Sequence, residues 1–299
     1  MNSTPQPRTT TVSEFPVSKK KASMKSQKII GDILTYLFVL VGIAIFTGPF
    51  IWMISTSFKL PADQYSHNLF PNPATVINYI NVFEKLPDFP REIFNSFEIA
   101  SLTTIGQLLT CAMAAFVFAV VRFRGRNFLF TLLLITWIIP FQVTLIPNFV
   151  IFSKIGLVGT QIPLWLPAFW GGAFGTFLLR QYFLTIPREL SEAARMDGAS
   201  LFQIFWNVYL PNAKPALAAL GLFTFLGSWN DLLHPLIYLP TNQKLTTIPI
   251  GLALFQTQYG GRWTILMAGT LLSVLPIIVL FFFAQKQFIE GIALSGVKR

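Results

Sequence analysis

Six long runs of apolar residues, separated by polar segments, set the pattern of this chain: Ile33 to Ile54, Phe94 to Val121, Phe128 to Phe152, Ile162 to Phe183, Ala216 to Leu239, and Trp263 to Ala284. A helix needs about 20 such residues to cross roughly 30 Å of hydrocarbon, and each run supplies them. The pattern therefore predicts an all-α integral membrane protein with six transmembrane helices. It divides the chain into a disordered basic tail (1–32), a membrane domain (33–284) with a polar loop at 185–212, and a C-terminal tail (285–299). The polar segment from Lys59 to Arg91 is rich in Pro, Asn and aromatics; it is long enough for a small cap but too short for a domain with its own core. The short turn Arg122-Phe-Arg-Gly-Arg126 makes the second and third helices antiparallel neighbours.

Composition agrees with the pattern. The chain is 53% apolar and 11% charged, whereas soluble domains carry about 25% charged residues. The net charge of +10 does not indicate nucleic-acid binding, because the basic residues lie in clusters between apolar runs and not among aromatics on one face. Their use is topological. Sixteen of the 22 fall in the N-tail, the Arg122 to Arg126 turn, the segment from Arg180 to Lys214 and the C-tail. The other six, Lys59, Lys85, Arg91, Lys154, Lys244 and Arg262, fall in the alternate loops. An excess of Lys and Arg marks the cytoplasmic side, so both termini are expected there. The first 32 residues, with Lys19, Lys20, Lys21, Lys25 and Lys28, read as a solvated tail and not a signal peptide, since the apolar run that follows is too long.

Catalytic chemistry is not visible. The single cysteine, Cys111, lies in an apolar run and reads as packing. No His, Cys or carboxylate cluster has metal-ligand or nucleophile spacing, and no GxxxxGK[ST] segment is present to cradle ATP phosphates. The chain is expected to be neither an enzyme nor a holder of metal or cofactor. Glu98 near the outer end of the second run and His67 in an outer loop read as solvated groups. Gly171 and Gly175, four apart, permit close helix approach. Pro140, Pro147 and Pro276 remove backbone donors within spans and predict kinks.

The loop from Pro187 to Pro211 is the most informative segment. Pro187 suits a helix start, Glu189 and Glu192 favour its positive end, and Gly198 suits a left-handed stop. Ser200 with Gln203 fits a capping box that opens a second helix, which Pro211 blocks. A helix this short must pack on something to persist, and Ala193 with Ala194 keeps its surface low enough to enter a groove. On physical grounds alone it is either a docking element or an interfacial connector between two spans.

Glu192-Ala-Ala194, Asp197-Gly-Ala199 and Val208-Tyr-Leu-Pro211 with Pro215 resemble the EAA signature of the permease subunits of ATP-binding cassette importers. Asn95-Ser96, Arg122 to Asn127, Trp229-Asn-Asp231, Pro249 to Leu252 and the tail Gly291 to Lys298 extend the resemblance toward the carbohydrate-uptake permeases of the maltose and glycerol-phosphate type. Val208 stands where the pattern commonly has Ile, and Arg299 where glycine is common. The resemblance implies a type I importer permease fold. It also implies half of a pore for a sugar or sugar-like solute, in the cytoplasmic (inner) membrane of a bacterium or archaeon. The implied partners are a homologous second permease, two ATPase subunits holding ATP and Mg, and an extracytoplasmic solute-binding protein. Glu192, Ala193, Ala194, Asp197, Gly198 and Ala199 would then couple the pore to the ATPase. An ion-driven secondary transporter is the alternative; it calls for midplane carboxylates and matched repeats, which are not clear here.

Polar residues in the fifth run supply a candidate substrate path. Asn230 and His234, four apart, share a face if the helix is continuous, with Trp229 and Asp231 beside them. An aromatic plate with hydrogen-bonding groups suits a sugar, and helix packing with local satisfaction of these groups is the other reading.

Overall fold

The computed structural model describes residues 19–239 and 243–296, and among them every regular element is helical. The tail up to residue 18, and Lys298 and Arg299 with Val297, lie outside that range. The helices are α1 (Lys19–Ser57), α2 (Ile77–Lys85), α3 (Phe89–Val120), α4 (Arg126–Ile138), α5 (Phe141–Lys154), α6 (Ile162–Trp165), α7 (Ala173–Phe183), α8 (Arg188–Met196), α9 (Leu201–Ile204), α10 (Leu210–Asn212), α11 (Lys214–Trp229), α12 (Leu233–Tyr238), α13 (Ile248–Gln258) and α14 (Trp263–Gly296). Among the described residues, α1 includes Lys19 and α14 reaches Gly296. The first unit of the chain ends at Met53 and is the described part of α1 up to that residue; the second unit runs from Ile54 onward.

Among the described residues, four stretches are long and apolar enough to span a membrane: Ile29–Ser57, Phe89–Val120, Ile162–Phe183 and Trp263–Phe283. A fifth forms if α4 and α5, which meet at 94°, count as one broken span. The bend has a local cause. A proline disfavours helical backbone in the residue before it, and Ile139, ahead of Pro140, is extended at φ −71°, ψ 117°. Pro147 and Pro276, also expected to kink, lie within unbroken helices. The run Ala216 to Leu239, expected as one span, is the 16-residue α11 followed by the six-residue α12. Pro235 explains the division, because its ring would clash with the carbonyl of residue 231 in a continuous helix.

Within the second unit α3 packs against α7, α11, α4 and α13. Its inner face is built from small residues, with Cys111, Ala112, Ala115 and Ala119 all buried. These let neighbouring backbones approach closely. Gly175 on α7 completes the contact: a Cβ there would lie 2.8 Å from the Cys111 sulfur and 3.0 Å from Leu220. Gly171, in contrast, is used for its backbone, with φ +84° at the break that precedes α7.

The other end of α3 is tied by side chains to distant backbone. The Asn95 amide donates to the carbonyls of Lys244 (3.0 Å) and Thr246 (2.9 Å), and the Ser96 hydroxyl accepts from the Ile248 N–H at 2.9 Å. Nearby in sequence, buried Asn78 donates to the carbonyls of Ser57 and Lys59 at 2.8 and 2.7 Å. Each amide closes backbone groups that no helix satisfies. Asn95→Ala strands two carbonyls at once. Since an unsatisfied buried polar group costs about 1–3 kcal/mol, the variant is expected to melt several degrees lower in detergent. An unchanged melting curve would mean that the clamp does not hold this end together.

Candidate functional site

The loop between α7 and α11 folds as its residues dictate. Pro187 occupies the position before α8, and the helix ends at Met196. Gly198 takes φ +80°. Its N–H reaches the carbonyl of Arg195 at 3.0 Å and the Ala199 N–H reaches that of Ala194 at 2.9 Å, a Schellman closure. The capping box follows, with Gln203 N–H to Ser200 Oγ at 3.3 Å and Ser200 N–H to Gln203 Oε1 at 2.7 Å. The second helix is not the uninterrupted element expected up to Pro211. A π turn over Phe205–Tyr209 separates α9 from α10, and the chain stays helical through Pro211 to Asn212.

Two faces of this helix pair have different fates. Ala194 and Ala199 pack inward on the core. Glu189, Glu192, Ala193 and Met196 lie outward, at the i, i+3, i+4, i+7 spacing of one helix face, and Asp197 and Gly198 continue it. Met196 is 87% exposed, an apolar side chain at the tip of a polar helix. Of the six residues expected to couple, Glu192, Ala193, Asp197 and Gly198 thus face outward, whereas Ala194 and Ala199 seat the helix. Met196 was not among the sequence candidates, although its spacing from Glu189 signals it.

The seat is aromatic. Phe205 and Tyr209 of the π turn lie 5.3 and 5.2 Å from the ring of Phe116 on α3, and Tyr209 lies 5.4 Å from Phe183 at the end of α7. All four rings are buried. Such pairs add about 0.5–1.5 kcal/mol each beyond area burial. The loop is therefore fastened to two membrane helices by a packed cluster, so a push on α8 reaches α3 and α7 through side chains in contact.

The second candidate, around the α11–α12 break, differs from the expectation in two respects. Trp229 is 2% exposed and stacked on Phe225 at 5.7 Å and 19°, in the core with Ala100. It has no free face for a ligand. Asn230 and His234 do not share a continuous helical face, because the helix stops between them. The break is closed by polar side chains. The Asn230 amide donates to the Leu226 carbonyl (2.8 Å), Asp231 Oδ1 accepts the His234 N–H (3.2 Å), and Asp231 Oδ2 lies 2.7 Å from His234 Nδ1. A carboxylate accepts only, so Nδ1 carries a proton and Nε2 is left for another partner. Phe141, the first residue of α5, faces the imidazole at 5.2 Å. Two chain interruptions thus bring Phe141, Asp231 and His234 together, an aromatic surface beside oriented polar groups. Phe141 escaped the sequence reading, since nothing local links it to His234.

Known proteins resemble this chain in sequence and in fold. Residues 107–293, more than half of the chain, match the family model described as binding-protein-dependent transport system inner membrane component. The arabinooligosaccharides transport system permease protein AraQ of Halalkalibacterium halodurans is 37% identical over 280 residues, covering 92% of this chain and 99% of that protein. A bacterial ABC transporter involved in the import of the acidic polysaccharide alginate has a chain that superposes with a TM-score of 0.73 at 26% identity, covering 92% of this chain and all of its own. The structure of bacterial alginate ABC transporter in complex with alginate pentasaccharide-bound periplasmic protein gives 0.65 at 19% identity, with 86% and 94% covered, and shares the fold. The helical membrane architecture, the family match along most of the membrane part and the near-complete overlap with a permease relative lead to one conclusion: the chain belongs to the binding-protein-dependent transport system inner membrane components, the permease subunits of ABC transporters.

Proposed function

We propose that this chain forms half of the translocation pore of an ATP-driven importer for an oligosaccharide or similar sugar-like solute, and that α8 couples it to the ATPase. The observation that carries this reading is the outward face of α8, a low, capped helix tipped by exposed Met196 and seated on α3 and α7 through Phe205 and Tyr209. ATP would be held by separate ATPase subunits, a homologous permease would complete the pore, and a solute-binding protein would deliver the sugar from outside. The relatives named for arabinooligosaccharides and alginate support the sugar class, and the excess of Lys and Arg on the α8 side supports a cytoplasmic placement of that loop and both termini. Mechanically, ATP-driven closure of the ATPase pair would move α8, and the aromatic seat would pass that displacement to the spans. Each ligand shifts the inward-to-outward equilibrium only as far as it discriminates the two states.

Gly198 tests the coupling role by its backbone. A non-glycine residue in left-handed geometry costs about 1–2 kcal/mol, and asparagine tolerates it best. In complexes reconstituted with the sister permease, the ATPase and the binding protein, Gly198→Asn is expected to keep most sugar-stimulated ATP hydrolysis and Gly198→Val to lose most of it while the complex still assembles. Equal stimulation in both would remove α8 from the coupling route.

The residues at the α11–α12 break make a second, independent prediction. Phe141→Ala and His234→Ala are expected to raise the sugar concentration for half-maximal transport by about 5- to 30-fold, equivalent to 1–2 kcal/mol of lost contact, with assembly intact. Unchanged uptake across a sugar panel would assign Asp231 and His234 to closing the break alone.

A further inference from the structure

The cavity between the end of α3, the turn into α4, and α8 carries a charge imbalance that goes beyond Glu192, the one coupling residue on its lining. Its volume is about 410 Å³, and Arg122, Arg126, Arg188 and Arg195 line it against one carboxylate, Glu192. None of these four guanidinium groups forms an ion pair among the described residues, where the pairs are Arg91 with Asp88 and His234 with Asp231. Arg180, by contrast, is occupied. Its Nε donates to the Phe118 carbonyl at 3.1 Å, and its guanidinium lies 4.2 Å from the centre of the Phe130 ring. It already caps a carbonyl at the end of α3, so Arg122 and Arg126 are not committed to that task.

Like charges around one cavity repel, and a bound anion turns that repulsion into attraction. The planar fork of arginine matches phosphate oxygens in a bidentate way, which a lysine ammonium does not. The depth of the cavity narrows the choice of anion. It is lined by Val120 and Phe183, the last residues of two spanning segments, and so lies at headgroup level. Leu184 and Leu201, both exposed, stand on its lining and offer apolar surface beside the arginines. A phosphate carried on a glycerol backbone with acyl chains meets both requirements, whereas a free phosphate uses only the arginines.

We propose that this cavity binds the phosphate headgroup of an anionic lipid from the leaflet on the α8 side, so that lipid charge bears directly on the helix that docks the ATPase. The site itself requires only the geometry above; its link to coupling rests on the role proposed for α8. The test therefore reads lipid binding and not transport. The full chain is placed in nanodiscs of phosphatidylcholine with a minor fraction of phosphatidylglycerol, extracted gently, and the retained lipids are compared by native mass spectrometry. Wild type is expected to retain phosphatidylglycerol in preference to phosphatidylcholine. The Arg122→Gln/Arg126→Gln variant is expected to lose roughly five-fold of that preference for each arginine removed. Arg124→Gln, on the same turn but outside the cavity lining, is expected to leave it unchanged. If the double variant loses its helical circular dichroism, Arg122→Lys/Arg126→Lys takes its place; it keeps the charge, loses the fork and is expected to fall in between. Full preference in whichever double variant stays folded overturns the proposal. So does an equal loss with Arg124→Gln, which would indicate diffuse surface charge. Absence of lipid preference together with phosphate adducts in millimolar inorganic phosphate would assign the arginines to a soluble anion and overturn the lipid source.

Discussion

A backbone that crosses hydrocarbon must satisfy its own N–H and C=O groups, and that constraint governs where this chain is allowed to break. Where helix is interrupted, side chains from the neighbourhood take over. At the break before α7, the Gly172 N–H donates to the Cys111 sulfur at 3.2 Å, and Thr110 donates to the Ala168 carbonyl, also at 3.2 Å. At the break after α11, Asn230 and Asp231 do the same work. The lone cysteine and the polar residues of the fifth run thus share one physical role, whatever else they do.

The same constraint gives α3 its position. Its small buried residues let α7 and α11 come close, its N-terminal half holds the segment 244–248 through Asn95 and Ser96, and its C-terminal half meets the π turn of the loop through Phe116. A displacement at either end is carried along one rigid helix, because the contacts at both ends are packed rings or paired hydrogen bonds and not solvent-exposed chain.

Much of this was readable from residues alone. The apolar runs located the long helices, and Gly198, Ser200 and Gln203 specified the turn and cap of the loop because capping depends on local chemistry. Family resemblance singled out Asn95-Ser96, and in the structure these two side chains clamp backbone about 150 residues away. The parts that escaped depend on contacts distant in sequence. The burial of Trp229 on Phe225 and the meeting of Phe141 with His234 require the packing of α3, α5, α11 and α12 to be known. The divided fifth run had a local sign in Pro235, but an apolar run read as a whole conceals it. Pro140 and Pro147 look alike in sequence, yet only the first interrupts a helix.

The Asn95 clamp also has a history in time. Its two acceptors lie 149 and 151 residues further along the chain, and ribosomes add about 5–20 residues per second. The amide is therefore synthesised roughly 8–30 s before the carbonyls it will hold. During that interval the amide lacks those acceptors, and once α7 and the π turn have been added α3 can pack at its C-terminal end while its N-terminal end is still unlatched. The nascent protein passes through a stage in which its central helix is anchored at one end only, and the arrival of residues 244–248 is what ends it.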